Sequence, residues 1–260
     1  MTDQPVAIIS AGASGIGLSC ARALAAAGYR VLTLDIDVEA VAAFEAEFGE
    51  GTAVVCDVSH PAQVETAFAS LMGACDRVDV LLNNAGIAGP QQPVEEIEVE
   101  AWQSTINTDL NSLFYLTRLV IPLMKLQRSG VILNMSSSAG RYGCPLRSPY
   151  VASKWAAIGL AQTWAMELGP WNIRVNVLCP GSVGDSRIER VIQRDAEERG
   201  VSAEDIRTVY QRQSSLRDFA SAEDIAAMVC FLSGPGGRMV SGQTIGIDGH
   251  TESLANWLDP

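Results

Sequence analysis

Lysine is almost absent from this chain: Lys125 and Lys154 stand against sixteen arginines in 260 residues. Basic residues total 18 against 30 acids, a formal charge of −12, so the clustered cations that displace counterions from a phosphate backbone are missing. This balance argues against a nucleic-acid partner. No apolar run reaches the roughly 20 residues of a spanning helix. The opening MTDQPVAIIS also lacks the charged-then-apolar order of a signal peptide, so the expectation is a cytoplasmic chain with no membrane partner. Histidine is scarce too, with His60 and His250 in unrelated segments, and the six cysteines contain no C-x-x-C pair. Both features argue against a metal site, and scattered thiols in a cytosolic chain read as reduced and mostly buried. No composition break or low-complexity linker divides the chain, which is long enough to bury its core as one domain.

What the chain does have is alternation. Short β-branched or leucine-rich runs lie at 6–10, 30–35, 52–57, 78–84, 130–136, 173–180 and 243–248, separated by helix-compatible stretches of crossover length. That order predicts βαβ units, hence a doubly wound α/β domain with a seven-stranded parallel sheet and helices on both faces. Apolar residues from Trp102 through Ile106, Leu110, Leu113, Leu116 and Val120 to Leu123 step by three and four, the stripe of one long helix. A second helix is predicted from Pro149 to Leu168, stopped by Gly169 and Pro170. The charge-dense segment 186–214, interrupted by Gly200, reads as helical and as an appendage over the sheet edge.

The stretch SAGASGIG, Ser10 to Gly17, follows the first strand and opens an alanine-rich helix. It misses the strict G-x-G-x-x-G spacing and reads either as a phosphate cradle or as a tight turn. As a cradle it puts backbone amides at a helix N-terminus, where partial positive charge attracts a pyrophosphate, and its small side chains let phosphates come close. The second strand ends in Asp35, 18 residues past Gly17, where a carboxylate can accept from both ribose hydroxyls of an adenosine. Asp37 and Glu39 follow, and neither loop holds Lys or Arg, so a 2′-phosphate meets repulsion and NAD is preferred to NADP. Asp57 and Val58, after the third strand, are candidates for the adenine edge. NNAG, Asn83 to Gly86, ends the fourth strand beside the same ligand or forms a plain turn.

The sharpest signal is YVASK, Tyr150 to Lys154. Four residues apart on a helix, the two side chains share a face. An ammonium near a phenol lowers the cost of ionising it, by about 4 kcal/mol at roughly 4 Å and an effective dielectric of 20, while burial works the other way. Tyr150 can then take a hydroxyl proton while hydride leaves carbon for NAD.

Taken together, these motifs resemble the short-chain dehydrogenase/reductase family over essentially the whole chain: the glycine turn, Asp35, NNAG, a serine with Tyr-x-x-x-Lys, and CPG after the sixth strand. The family's glycine motif reads T-G-x-x-x-G-I-G, matched here by Ser10, Ala11, Gly15, Ile16 and Gly17, with Gly12 and Ser14 between them. Ala11 stands where the first glycine belongs, a replacement expected to require negative φ. The resemblance implies a Rossmann-type fold and a Ser137 that hydrogen-bonds the substrate oxygen, with Ser136 and Ser138 as rivals on the opposite strand face. It also implies that Lys154 holds the nicotinamide ribose and that Asn84, Ala85, Gly86, Pro180, Gly181 and Val183 contact the cofactor.

Two positions depart from the family pattern. Asp109, in INTDLNS, stands where the family has an Asn that supports a helix distortion and a water leading to the lysine. A retained proton-relay role through its carbonyl is expected, with its carboxylate free to pair with Lys154. The threonine that usually follows CPG is replaced within SVGDSR, leaving Asp185 or Ser186 as substitutes.

Arg141 and Arg187, with Arg147, Arg190 and Arg194 beside them, are candidates to grip an anionic substrate, because guanidinium matches carboxylate or phosphate in a forked geometry. The interleaved Glu189, Asp195, Glu197 and Glu198 favour instead a solvated helix with internal ion pairs. Segment 186–214 is expected to act as a substrate lid. The expected activity is hydride transfer between NAD(H) and a secondary alcohol or ketone, as found in a sugar, polyol, hydroxy acid or cyclic diol. The alternatives are a 3-oxoacyl-thioester reductase and a non-catalytic NAD-binding redox sensor or scaffold, which would not need a tuned phenol. The resemblance further implies a homotetramer with helices 102–126 and 149–168 at one interface, where Trp155, Trp164 and Leu168 sit unless they belong to the core.

Overall fold

The computed structural model describes residues 4–73, 75–184 and 186–254, the side chains of Ser186, Arg187 and Glu198 excepted. Its strands are β1 (Val6–Ser10), β2 (Arg30–Asp35), β3 (Ala53–Val55), β4 (Val80–Asn83), β5 (Gly130–Met135), β6 (Ile173–Pro180) and β7 (Thr244–Ile247). Its helices are α1 (Gly15–Ala26), α2 (Val38–Phe48), α3 (Pro61–Met72), α4 (Val99–Ile106), α5 (Ser112–Gln127), α6 (Ser148–Leu168), α7 (Ser186–Arg199), α8 (Ala203–Arg212) and α9 (Ala222–Ser233). The strands form one sheet in the order β3-β2-β1-β4-β5-β6-β7, every neighbouring pair parallel.

Strand alternation divides the apolar side chains between two cores. Val6 and Ile8 of β1 pack with α3, α5 and α6, through Val64, Leu116, Val120 and Ala161. Ala7 and Ile9 face the opposite layer, formed by α1, α2 and α9 through Leu24, Phe44, Ile225 and Val229. A sheet buried on both faces is the reason its strands read as continuous apolar runs. The order of strands reverses between β1 and β4, so the loops leaving their carboxyl ends run in opposite directions and open a crevice between them.

The stripe beginning at Trp102 is not a single α-helix. α4 stops at Ile106, Asn107–Asn111 form a π turn, and α5 resumes at Ser112. The extra residue of the wide turn carries Asp109 inside, fully buried. A carboxylate survives burial only where partners compensate its lost hydration.

α7 and α8 pack on one another around a small cluster of their own, Ile192, Ala196 and Ile206. Arg207 Nη1 on α8 donates to Glu189 Oε1 on α7 at 2.8 Å. α7 and α8 together span most of segment 186–214. On α6, Leu168 and Trp164 belong to the core, whereas Trp155 is 51% exposed. All six cysteines are free, and burial pushes the Cys20 thiol up to about 12. No helix among the described residues is long and apolar enough to cross a membrane.

Candidate active site

At the carboxyl end of β1 three successive amides are already engaged. Ala11 N–H donates to Leu34 O at 2.7 Å, Gly12 N–H to Thr33 Oγ1 at 2.9 Å and Ala13 N–H to Asp35 Oδ2 at 3.0 Å. The next residues, Ser14, Gly15 and Ile16, border a cavity of about 460 Å³. There α1 begins with no side-chain cap and no acid in its first turn. Gly17 seats the helix against the turn: a Cβ there would lie 2.1 Å from Ala11 O.

Ala11 overturns the expectation of negative φ. Its φ is 51°, in the left-handed region, with the amide held by Leu34 O and the carbonyl by Asn84 Nδ2 at 3.0 Å. Anchoring at both ends sustains a conformation that costs a non-glycine residue about 1–2 kcal/mol.

Asp35 is nearly buried, and its Oδ1 accepts from Asp37 N–H at 3.2 Å. A carboxylate has about four acceptor positions, so with Ala13 also bound it retains capacity for hydroxyl donors. Ser10 ties two strand ends together, its Oγ accepting from the Asn84 and Ala85 amides at 3.0 Å each. Asp57 is occupied within its own turn. Burial pushes its carboxyl up, but hydrogen bonds from Ser59 and the neighbouring His60 hold it below the usual carboxylate range. Val58 beside it is buried. Asn84, Gly86, Pro180, Gly181 and Val183 reach the cavity; Ser10, Gly12, Gly17, Asp35, Asp57, Val58 and Ala85 are not part of its wall.

The chemistry-bearing side chains Ser137, Tyr150 and Lys154 line the same cavity. Pro149 suits the first turn of α6, whose next residue is Tyr150. Lys154, one turn later, brings its Nζ to 5.4 Å from the Tyr150 ring centre. The same ammonium donates to Met135 O at 3.3 Å and lies 3.6 Å from Asp109 Oδ2, both side chains being buried. Asp109 Oδ1 accepts from Ile87 N–H at 2.7 Å. Gly86 makes room for this pair, since a Cβ there would come within 3.1 Å of Lys154 Nζ.

The three serines after β5 separate by their contacts. Ser136 Oγ donates to Lys154 O at 2.7 Å, and Ser138 Oγ contacts Pro180 O, Asp248 and Thr251 at 3.2, 3.2 and 3.0 Å. Ser137 Oγ only accepts, from Ala139 N–H at 3.2 Å, and keeps its proton to donate into the cavity it borders.

Arg141 lies 3.6 Å from Asp248, an ion pair at the cavity's rim. The Arg187 side chain, together with Asp185 and the Ser186 side chain, lies outside the described residues. Sequence reasoning missed the Ser138–Asp248–Thr251 cluster and the cavity-lining Gln91, Cys144 and Phe219. Ser138 and Thr251 are 113 residues apart, and no local pattern marks either.

A family model described as enoyl-(acyl carrier protein) reductase matches residues 10–250. The chain is 36% identical over 248 residues to 3-oxoacyl-(acyl-carrier-protein) reductase FabG of Thermotoga maritima, covering 94% of this chain and 96% of that one. The solved structure of NAD+-bound xylitol dehydrogenase is similar with a TM-score of 0.88 at 28% identity, covering 94% of this chain and 98% of the other. A variant of actinorhodin polyketide ketoreductase with NADPH is similar with a TM-score of 0.89 at 30% identity, covering 98% of each chain. The likeness runs through the elements that build the cavity, from the turn after β1 to β7, and the chain accordingly belongs to the short-chain dehydrogenase/reductase family.

Proposed function

We propose that this protein is an NAD-dependent oxidoreductase that interconverts a secondary alcohol and its ketone. The observation that carries this is the meeting of Ser137, Tyr150 and Lys154 with the uncapped start of α1 on one cavity. The residues present fit a dinucleotide: the first amides of α1 suit a pyrophosphate, and Asp35 has acceptor capacity for ribose hydroxyls. The loops at 10–17 and 35–39 hold no Lys or Arg to offset a 2′-phosphate, which supports NAD. Asn84, Gly86, Pro180, Gly181 and Val183 would flank the nicotinamide end. A bound dinucleotide supplies the hydride acceptor, or the donor in the reverse direction.

The chain's own residues handle the proton. Tyr150 exchanges it with the substrate oxygen at the phenol oxygen, while the Ser137 hydroxyl orients that same oxygen. The Lys154 ammonium offsets negative charge on the phenol and is held from behind by Met135 O and Asp109. The carbonyl of Asp109, in the π turn, would hold the water of a proton relay to Lys154, while its carboxylate pairs with the ammonium. α7 and α8 line the cavity with Ile188, Val191 and Tyr210 and act as the lid that excludes water. Exposed Phe114, Trp155 and Met166 on α5 and α6 support the homotetramer, and the acidic composition is in keeping with a cytoplasmic location.

NADH absorbance with a panel of secondary alcohols tests the proposal. Tyr150→Phe is expected to lose about 10²- to 10⁴-fold in turnover. Nucleotide binding without turnover on any substrate would instead support a sensor. The 36% identity to a 3-oxoacyl carrier-protein reductase supports a second reading, reduction of 3-oxoacyl thioesters, distinguished by preference for thioester over free alcohol substrates.

A further inference from the structure

Four charged side chains other than the nucleotide-facing groups border the cavity: Arg147, Lys154, Asp218 and Asp248. Lys154 is paired with Asp109, and Asp248 with Arg141, while Asp218 is exposed and its Oδ1 accepts from the Phe219 amide. Arg147 has no carboxylate partner among the described residues. Its Nη2 donates to the Ala88 carbonyl at 2.9 Å, but its Nε is buried with no hydrogen-bond partner. Its guanidinium carbon lies 4.8 Å from the centre of the Tyr150 ring. A cation that borders the cavity, has no carboxylate partner among the described residues and stacks on the ring that serves the reacting oxygen is placed to be completed by an anion.

We propose that Arg147 is a specificity-determining residue that holds the carboxylate of the substrate, so that the site takes short-chain hydroxy acids and their oxo acids in preference to neutral alcohols. This rests on the dehydrogenase function proposed above. The arrangement sets the spacing: with the carbinol oxygen at Tyr150 and Ser137, an anion on the guanidinium belongs to the same small molecule, a few carbons from the reacting carbon. Long acyl thioesters carry no charge at that position, so the proposal also separates the two readings of the reaction. Forked hydrogen bonding to an acid explains why the residue is an arginine, whereas stacking alone does not require a charge.

The test compares kcat/KM for lactate, 3-hydroxybutyrate and 4-hydroxyvalerate with that for the methyl ester of each, in the wild-type protein, Arg147→Gln and Arg147→Lys. At least one acid is expected to exceed its ester by about 100-fold in the wild type, the scale of charge-assisted hydrogen bonds. In Arg147→Gln that ratio collapses towards one, mainly through KM of the acid, and Arg147→Lys restores part of it. NADH titration verifies that each variant still binds nucleotide. Equal wild-type efficiency on acid and ester, or an Arg147→Gln loss equal for both, overturns the anion site and leaves the dehydrogenase function standing. Absence of wild-type turnover on every acid, ester and neutral secondary alcohol overturns both.

Discussion

Replacing Asp109 with asparagine keeps an acceptor for the Ile87 amide but removes the negative charge 3.6 Å from Lys154 Nζ. The side chains are 0% and 4% exposed, so the ammonium loses its counter-charge without gaining water. At an effective dielectric of 20, attraction across that distance is about 4–5 kcal/mol, and removing one member of a buried pair typically costs about 3–5 kcal/mol. Asp109→Asn is therefore expected to lower the unfolding free energy by about 3–4 kcal/mol, less than the full attraction because Met135 O still accepts from the ammonium. Asp109→Ala should cost about 1–3 kcal/mol more, since the Ile87 amide is then left unpaired. Adding Lys154→Met to Asp109→Asn removes the stranded charge, and the double variant should recover about 2 kcal/mol relative to additivity. Urea unfolding followed by tryptophan fluorescence, at one protein concentration and without nucleotide, measures all four corners. A wild-type midpoint and slope for Asp109→Asn would refute the view that charge pairing holds this end of the site.

Other expectations follow from single contacts. Ala11→Gly relieves the left-handed φ and, net of the extra freedom glycine has when unfolded, should raise stability by about 0.5–1 kcal/mol in the same assay. Asp35→Ser should raise KM for NAD by about 10-fold and increase kcat/KM for NADP, read from initial rates with each nucleotide; an unaltered preference would show that discrimination lies elsewhere. Burial pushes the Asp248 carboxyl up, but bonds from Thr251, His250 and Ser138 outweigh it and hold the group below the usual range. A carboxyl depressed in the folded state contributes stability above its unfolded value and loses it as pH falls through the folded one. Asp248→Asn should thus flatten the decline of stability below about pH 4, seen in urea midpoints across an acid series.

Much of the architecture was legible because it is local. Seven apolar runs and the intervening helices are properties of adjacent residues, and each strand was found within one or two residues of its expected bounds. The spacing of Tyr150 and Lys154 places both on one turn of α6, so their proximity needed only helical geometry. The charge around Asp35 was likewise readable from neighbours in the chain.

The remainder depended on contacts between distant segments. Apolar periodicity continued straight across Asn107–Asn111, and only packing against Lys154 and the Ile87 amide accompanies the π turn that buries Asp109. Alternation could divide Ser137 from its neighbours but not choose the face that meets the cavity; Lys154 O, Pro180 O and Thr251 make that choice. Leu34 O and Asn84 hold Ala11 left-handed against its own preference. Arg141 and Arg147 are alike as letters, yet one finds Asp248 and the other lies against Tyr150 with a donor unmet. Sequence by itself determined the periodic backbone and the residue types near the chemistry, because those are set by near neighbours. Tertiary structure decided which polar groups are spent and which are left to bind, because hydrogen bonds and ion pairs are allotted by whatever the folded sheet brings within 3 or 4 Å.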